Sequence, residues 1–142
     1  MFLVTGATGK LGHHVIEGLL KKVPAGQIIA AVRNPQKAAE LAARGVQVRQ
    51  ADYSRPETLD AAFAGATRVL LISSNEMGQR TAQHRAVVEA SRKAGVQLLV
   101  YTSILHAEKS GLALAAEHKA TEQLIRDSGL PFVFLRNGWY FE

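Results

Sequence analysis

Short apolar runs alternate along the chain with stretches whose apolar residues recur at helical spacing. FLVT (2–5), QIIAAV (27–32), VQVRQ (46–50), RVLLIS (68–73), QLLVYTS (97–103) and PFVFLR (131–136) are brief and rich in Val, Ile, Leu and Phe. Near-continuous runs of this length suit strands buried on both faces of a parallel sheet. Leu11, Val15, Leu19 and Val23 mark one helix face after the first run, and Leu112, Ala116, Ala120 and Leu124 mark another before the last. Asn34 followed by Pro35 is an N-cap with proline at the first helical position, so a helix is expected over 35–44, closed by Gly45. Gly95 and Gly129 stand where two longer helices should stop. Strand and helix thus repeat five times before a sixth strand. That alternation predicts a doubly wound α/β domain with right-handed crossovers.

Composition narrows what such a domain could do. A chain of 142 residues with 47% hydrophobic and 20% charged residues is a single folded domain. The absence of cysteine removes disulfides, thiolate metal sites and a thiol nucleophile. MFLV carries no basic leader, and no apolar stretch approaches the roughly 18 residues of a membrane span, so a cytoplasmic protein without membrane association is expected. The net charge of +5 comes from scattered Lys and Arg, with Lys21-Lys22 the densest cluster, and aromatics are only 6%. Nucleic acid is therefore not an expected partner. Two readings of the charge stand level: a surface suited to an anionic small ligand, and simple solubility.

The chemistry begins at GATGKLG. Gly6, Gly9 and Gly12 follow a strand and open a helix, the context in which this spacing cradles a phosphate. One glycine permits the tight turn, one lets a pyrophosphate approach the backbone, and one lets the helix pack closely. Free N–H groups and the positive dipole end of the helix face the ligand. Gly6, Ala7, Thr8, Gly9, Lys10, Leu11 and Gly12 form the candidate seat, with Thr5 nearby. About 20 residues further on, NAD enzymes place an acid at the end of the second strand, whereas an Arg accommodates the NADP 2′-phosphate. Here that strand ends in Arg33, and Lys37 lies in the first turn of the next helix, so NADPH is the expected cofactor; the alternative is an Arg merely solvated at a strand end. The remaining strand ends converge on the same edge. Asp52 either bonds adenine or caps a turn; Ser73, Ser74 and Asn75 adjoin the expected switch point; Thr102 and Ser103 end the fifth strand. The whole predicts a Rossmann-type NAD(P)-binding domain over 1–142, strand order 3-2-1-4-5-6.

TGATGKLG, VRNP, QADY, LLISS, AQHR, YTSILHA, AAEHKATEQLI and LRNGWY together resemble the NmrA-like branch of atypical short-chain dehydrogenases. The likeness is nearest to bacterial NADPH-dependent quinone oxidoreductases of type 2, with triphenylmethane dye reductases close by, and it runs the length of the chain. It implies hydride transfer from NADPH to a quinone or similar small aromatic acceptor, without flavin or metal. A dye reductase, or a non-catalytic NADP-sensing regulator of the NmrA type, are the alternatives. Family members are about twice this long, so the chain is expected to be a cofactor domain lacking the C-terminal lobe, weak or inactive alone. A homodimer is compatible with the resemblance.

Ordinary short-chain dehydrogenases pair a Ser with Tyr-x-x-x-Lys. Ser103 and Lys119 can stand for the Ser and Lys as catalytic candidates, but Ala115 occupies the tyrosine place. Without that phenol, chemistry needing a general acid is disfavoured. Quinone reduction asks mainly for positioning over the nicotinamide. Lys119 either bonds the nicotinamide ribose or acceptor, or lies on an exposed helix face. By resemblance Asn137, Trp139 and Tyr140 border the nicotinamide, and the two aromatics either stack on an acceptor or pack under a second lobe. His13 and His14 are adjacent and so not expected to share a helix face; with His84, His106 and His118 isolated in sequence, no metal site is expected. Nor is there a GxSxG elbow for hydrolase chemistry.

Overall fold

The computed structural model describes residues 1–72, 80–104 and 113–137. Strands β1 (Phe2–Thr5), β2 (Ile28–Val32), β3 (Gln47–Gln50), β4 (Arg68–Leu71), β5 (Leu98–Ile104) and β6 (Phe132–Asn137) pair in parallel in the order β3-β2-β1-β4-β5-β6. The expected order is therefore the observed one. Between the strands run α1 (Lys10–Leu20), α2 (Ala39–Ala43), α3 (Pro56–Phe63), α4 (Arg80–Ala94) and α5 (Ala113–Asp127).

The two-residue period of the strands sorts the core into two layers. Val4, Ile28, Ala30 and Val32 pack with Ile16 of α1 and Leu41 of α2. Leu3, Ile29, Val69, Leu71, Leu99 and Tyr101 pack on the other face with Leu59, Phe63, Val87 and Ile125. Each fully buried Leu, Ile or Val contributes about 1.5–3 kcal/mol relative to an exposed one. Because β1 is followed by β2 on one side and paired with β4 on the other, the crossovers leave in opposite directions and a crevice opens at the C-terminal ends of β1 and β4. Among the described residues no helix is long and apolar enough to cross a membrane.

Four elements depart from expectation, each for a physical reason. The helix expected over 35–44 is a 3-10 turn over Pro35–Ala38 followed by the short α2. Asn34 Oδ1 accepts the Gln36 N–H at 3.1 Å, which tightens the start. The end is as expected: Gly45, at φ +94°, donates to Ala42 O while Val46 donates to Leu41 O.

Neither edge strand is buried on both faces: no residue of β3 is fully buried, and β6 opens to solvent as well. Phe132, Val133 and Leu135 are exposed, because the strand has β5 as its single neighbour and only Phe134 tucks against the core.

The face of α5 is also different. Ala116 is exposed, Ala120 and Leu124 are half-buried, and Leu112 lies outside the described residues. His118, Thr121, Glu122 and Ile125 are buried in their place. Three of these four are polar because their neighbours answer them. His84 Nδ1 and Thr121 Oγ1 are 2.9 Å apart, the Tyr101 hydroxyl lies 2.6 Å from His118 Nδ1, and Arg126 pairs with Glu122 at 3.6 Å. Apolar counting alone cannot detect a polar seam of this kind.

The Tyr101–His118 bond ties α5 to β5 beside Ser103 and Lys119. Tyr101→Phe is expected to keep the fold and to lower its stability by about 1–3 kcal/mol, the cost of leaving a buried polar group short of a partner. Urea denaturation followed by circular dichroism measures this; an unchanged midpoint would remove the bond from the account.

Candidate functional site

The loop after β1 is built by backbone constraints. Gly6 sits at φ +60°, a left-handed conformation that suits glycine, and Gly9 N–H closes the turn on Gly6 O at 3.0 Å. A Cβ on Gly12 would lie 2.2 Å from Gly6 O and 2.8 Å from Ala7 Cα. The third glycine thus lets the first turn of α1 press directly on the loop. Gly9 is the N-cap of α1 and has no side chain to cap with, so the first N–H groups of the helix point outward without one.

Thr5 anchors this loop to the rest of the sheet edge. Its hydroxyl donates to Leu70 O at 3.3 Å and accepts the Ile72 N–H at 2.9 Å, joining the ends of β1 and β4. The Thr5 side chain also acts on the phenol of Tyr53, half-buried just after β3. Burial pushes that phenol up from its ordinary range, against the opposing effects of Thr5 and of the Arg33 charge.

Five of the expected residues line one cavity of about 330 Å³: Ala7, Thr8, Gly9, Lys10 and Lys37. Its wall on α1 adds His13 and His14, and its opposite wall includes Glu40 and Leu41. The two imidazoles were expected to part company on the helix. Both border the cavity, with ring centroids 5.8 Å apart, because the cavity spans a broad sector of α1. Below them Glu17 of α1 is gripped by both terminal nitrogens of Arg44, the residue that caps α2, which braces the two walls together. The Arg44 hydrogen bond holds the Glu17 carboxyl below the usual carboxylate range, and the His13 and Lys21 charges add to the effect.

The other expected residues that the structure describes do not line this cavity. Arg33 is exposed at the end of β2, and its charge reaches Asp52 and Tyr53. Asp52 caps a turn: its Oδ1 accepts the Ser54 N–H at 2.9 Å and the Ser54 hydroxyl at 2.7 Å. Those two bonds, with help from Arg33 and Arg55, hold its carboxyl below the usual range. Thr102 and Ser103 are buried at the end of β5, and the Ser103 hydroxyl has no hydrogen-bond partner among the described residues. Lys119 lies on the exposed face of α5. Ser73, Ser74, Asn75, Trp139 and Tyr140, and the side chain of Asn137, lie outside what is described. His13, His14, Glu40 and Tyr53 were missed. Spacing carried a signal for two of them: His14 follows Lys10 by one helical turn, and Glu40 follows Lys37 likewise.

Comparison with known proteins agrees with this geometry. The model of the NAD(P)H-binding family matches residues 6–142. Quinone oxidoreductase 2 of Escherichia coli (strain K12) is 56% identical over 142 residues, covering 100% of this chain and 50% of that protein. A crystal structure of an NADPH-dependent quinone oxidoreductase from Escherichia coli complexed with NADPH superposes with a TM-score of 0.95 at 56% identity, covering 99% of this chain and 50% of the other. The triphenylmethane reductase of Citrobacter sp. complexed with NADP(H) superposes equally well, TM-score 0.95 at 51% identity, with the same coverage of 99% and 50%. The chain spans about half the length of these relatives.

Gly12→Ala is expected to destabilise the domain by about 1–3 kcal/mol, because the added methyl meets backbone that must move. Gly18→Ala on the same helix, where nothing lies within 4 Å, should instead stabilise it by up to about 1 kcal/mol. Thermal denaturation of the pair checks both signs.

Proposed function

The chain belongs to the NAD(P)H-binding family, and on that premise we propose that residues 1–142 are the NADPH-holding domain of a reductase whose acceptor is a quinone. The observation that carries the reading is the contact at Gly12, which leaves an uncapped helix start facing a loop curled to receive a phosphate. A methyl group at that position would spoil the cradle, so the residues present fit the cofactor.

In this reading the N–H groups of Lys10, Leu11 and Gly12 hold the pyrophosphate, with Thr8 beside them. Arg33 and Lys37 hold the 2′-phosphate, and Asp52 retains its second carboxylate oxygen for the adenine amino group. Ser73, Ser74, Asn75 and Thr102 line the path towards the nicotinamide, where Asn137, Trp139 and Tyr140 border the ring. NADPH, when bound, supplies the hydride. The protein's part is to fix its orientation and exclude water, with Lys119 near the nicotinamide ribose and Ser103 behind it. An electron-poor acceptor needs little more than that positioning. A triarylmethane dye is the second acceptor class, favoured by the 51% identity to the triphenylmethane reductase.

Two measurements test the proposal. Arg33→Ala should weaken NADPH binding about ten- to a hundredfold, the value of a charge-assisted contact, and leave NADH binding little changed; equal losses for both cofactors would sink the assignment. Acceptor screening of the gene product containing this chain, followed by loss of reduced-nicotinamide absorbance, should show p-quinone turnover, with little or none from residues 1–142 alone. Turnover with triarylmethane dyes only would select the second class. Tight binding without turnover on any acceptor would select a nucleotide-sensing regulator.

A further inference from the structure

The cavity beside the glycine loop holds more positive and proton-donating character than the sequence motif accounts for. Lys10, His13 and His14 stand on the α1 side, and Lys37 stands opposite. None of these four side chains makes a hydrogen bond within the described residues, and both imidazoles are exposed. A neutral imidazole still offers one N–H donor, and a protonated one offers two with a charge.

Two carboxylates lie close: Arg44 grips Glu17 directly with two hydrogen bonds and feels the charge of Glu40 from a distance. Glu40 also lines the cavity. The Arg44 guanidinium is held more firmly protonated by these acids, Glu17 first. Lys10, His14 and Lys37 make no ion pair among the described residues, and His13 meets Glu17 only through longer-range charge attraction.

We propose that His13 and His14 are specificity determinants that help bind the 2′-phosphate of the dinucleotide, as the α1 wall of a pocket whose facing cation is Lys37. The proposal rests on the NADPH reading above and extends it to two residues outside the glycine motif. The placement argues for that group in particular. The cavity opens on Thr8, Gly9 and Lys10, where the pyrophosphate is held, and Lys37 follows the end of β2 by one turn of the 3-10 segment. In the NADPH reading the ribose bearing the 2′-substituent spans those two points, with Arg33 just beyond the cavity at the end of β2. A phosphate monoester is the one group that distinguishes NADPH from NADH there.

Titration calorimetry with NADPH, NADH and adenosine 2′-phosphate tests this on the wild-type chain and on His13→Ala/His14→Ala. The double variant should bind NADPH and adenosine 2′-phosphate about five- to thirtyfold more weakly, with NADH changed by less than about twofold. The His13→Gln/His14→Gln variant keeps an N–H donor at each position and should recover part of the loss; it also decides the matter if the alanine variant melts early. Equal losses for NADPH and NADH, or undiminished NADPH binding, would overturn the proposal. A wild-type chain that binds NADH as tightly as NADPH overturns the cofactor reading as well, and shows itself before any substitution is made.

Discussion

One contact organises the molecule: the close approach of α1 to the loop at Gly12. The Gly6 carbonyl occupies the space where any other residue would place its Cβ. Because the helix sits so near, its first peptide groups form the floor of the crevice, and their dipoles face whatever enters. The same contact aims α1 along the sheet so that Ile16 drops between the side chains of β1 and β2. Burial of the core and binding of an anion are therefore set by one packing distance. That couples stability to function at a single backbone position.

The fold was legible because the sheet is parallel and its inner strands are covered on both sides. β1, β2 and the core of β5 read as apolar runs for that reason, and the glycines at 45, 95 and 129 marked helix ends through the left-handed conformation they alone tolerate easily. Legibility failed where burial and hydrophobicity part company. β6 opens on the unbroken apolar run Phe132 to Leu135, yet it has one neighbour and exposes Phe132, Val133 and Leu135. The inner face of α5 reads as polar, yet His118, Thr121 and Glu122 are buried because α4, β5 and α5 itself return their hydrogen bonds and charges. A single sequence shows what a residue prefers; it does not show what its neighbour supplies.

The candidate site divides along similar lines. The loop from Gly6 to Gly12 was legible because its chemistry is local, one turn joining one strand to one helix. Lys37 was legible from its distance along the chain. His13 and His14 were passed over because adjacency on a helix suggested opposite directions, whereas the cavity between α1 and α2 is wide enough to take both. Tyr53 was silent in sequence, since the influence of Thr5 and Arg33 on its phenol depends on how β1, β2 and β3 lie across the sheet. For Asp52 two roles stood level in sequence, and the bonds to Ser54 show that it caps a turn.

The anchoring of Thr5 has a consequence for biosynthesis. Translation delivers the glycine loop before β4, at roughly 5–20 residues per second. Yet the hydroxyl that secures the loop bonds Leu70 and Ile72, and β1 gains its second neighbour only when β4 arrives. Until then the nascent chain carries the phosphate-binding sequence without the architecture that shapes it. The segment that reads most clearly as a binding element gains its anchor only when β4 follows.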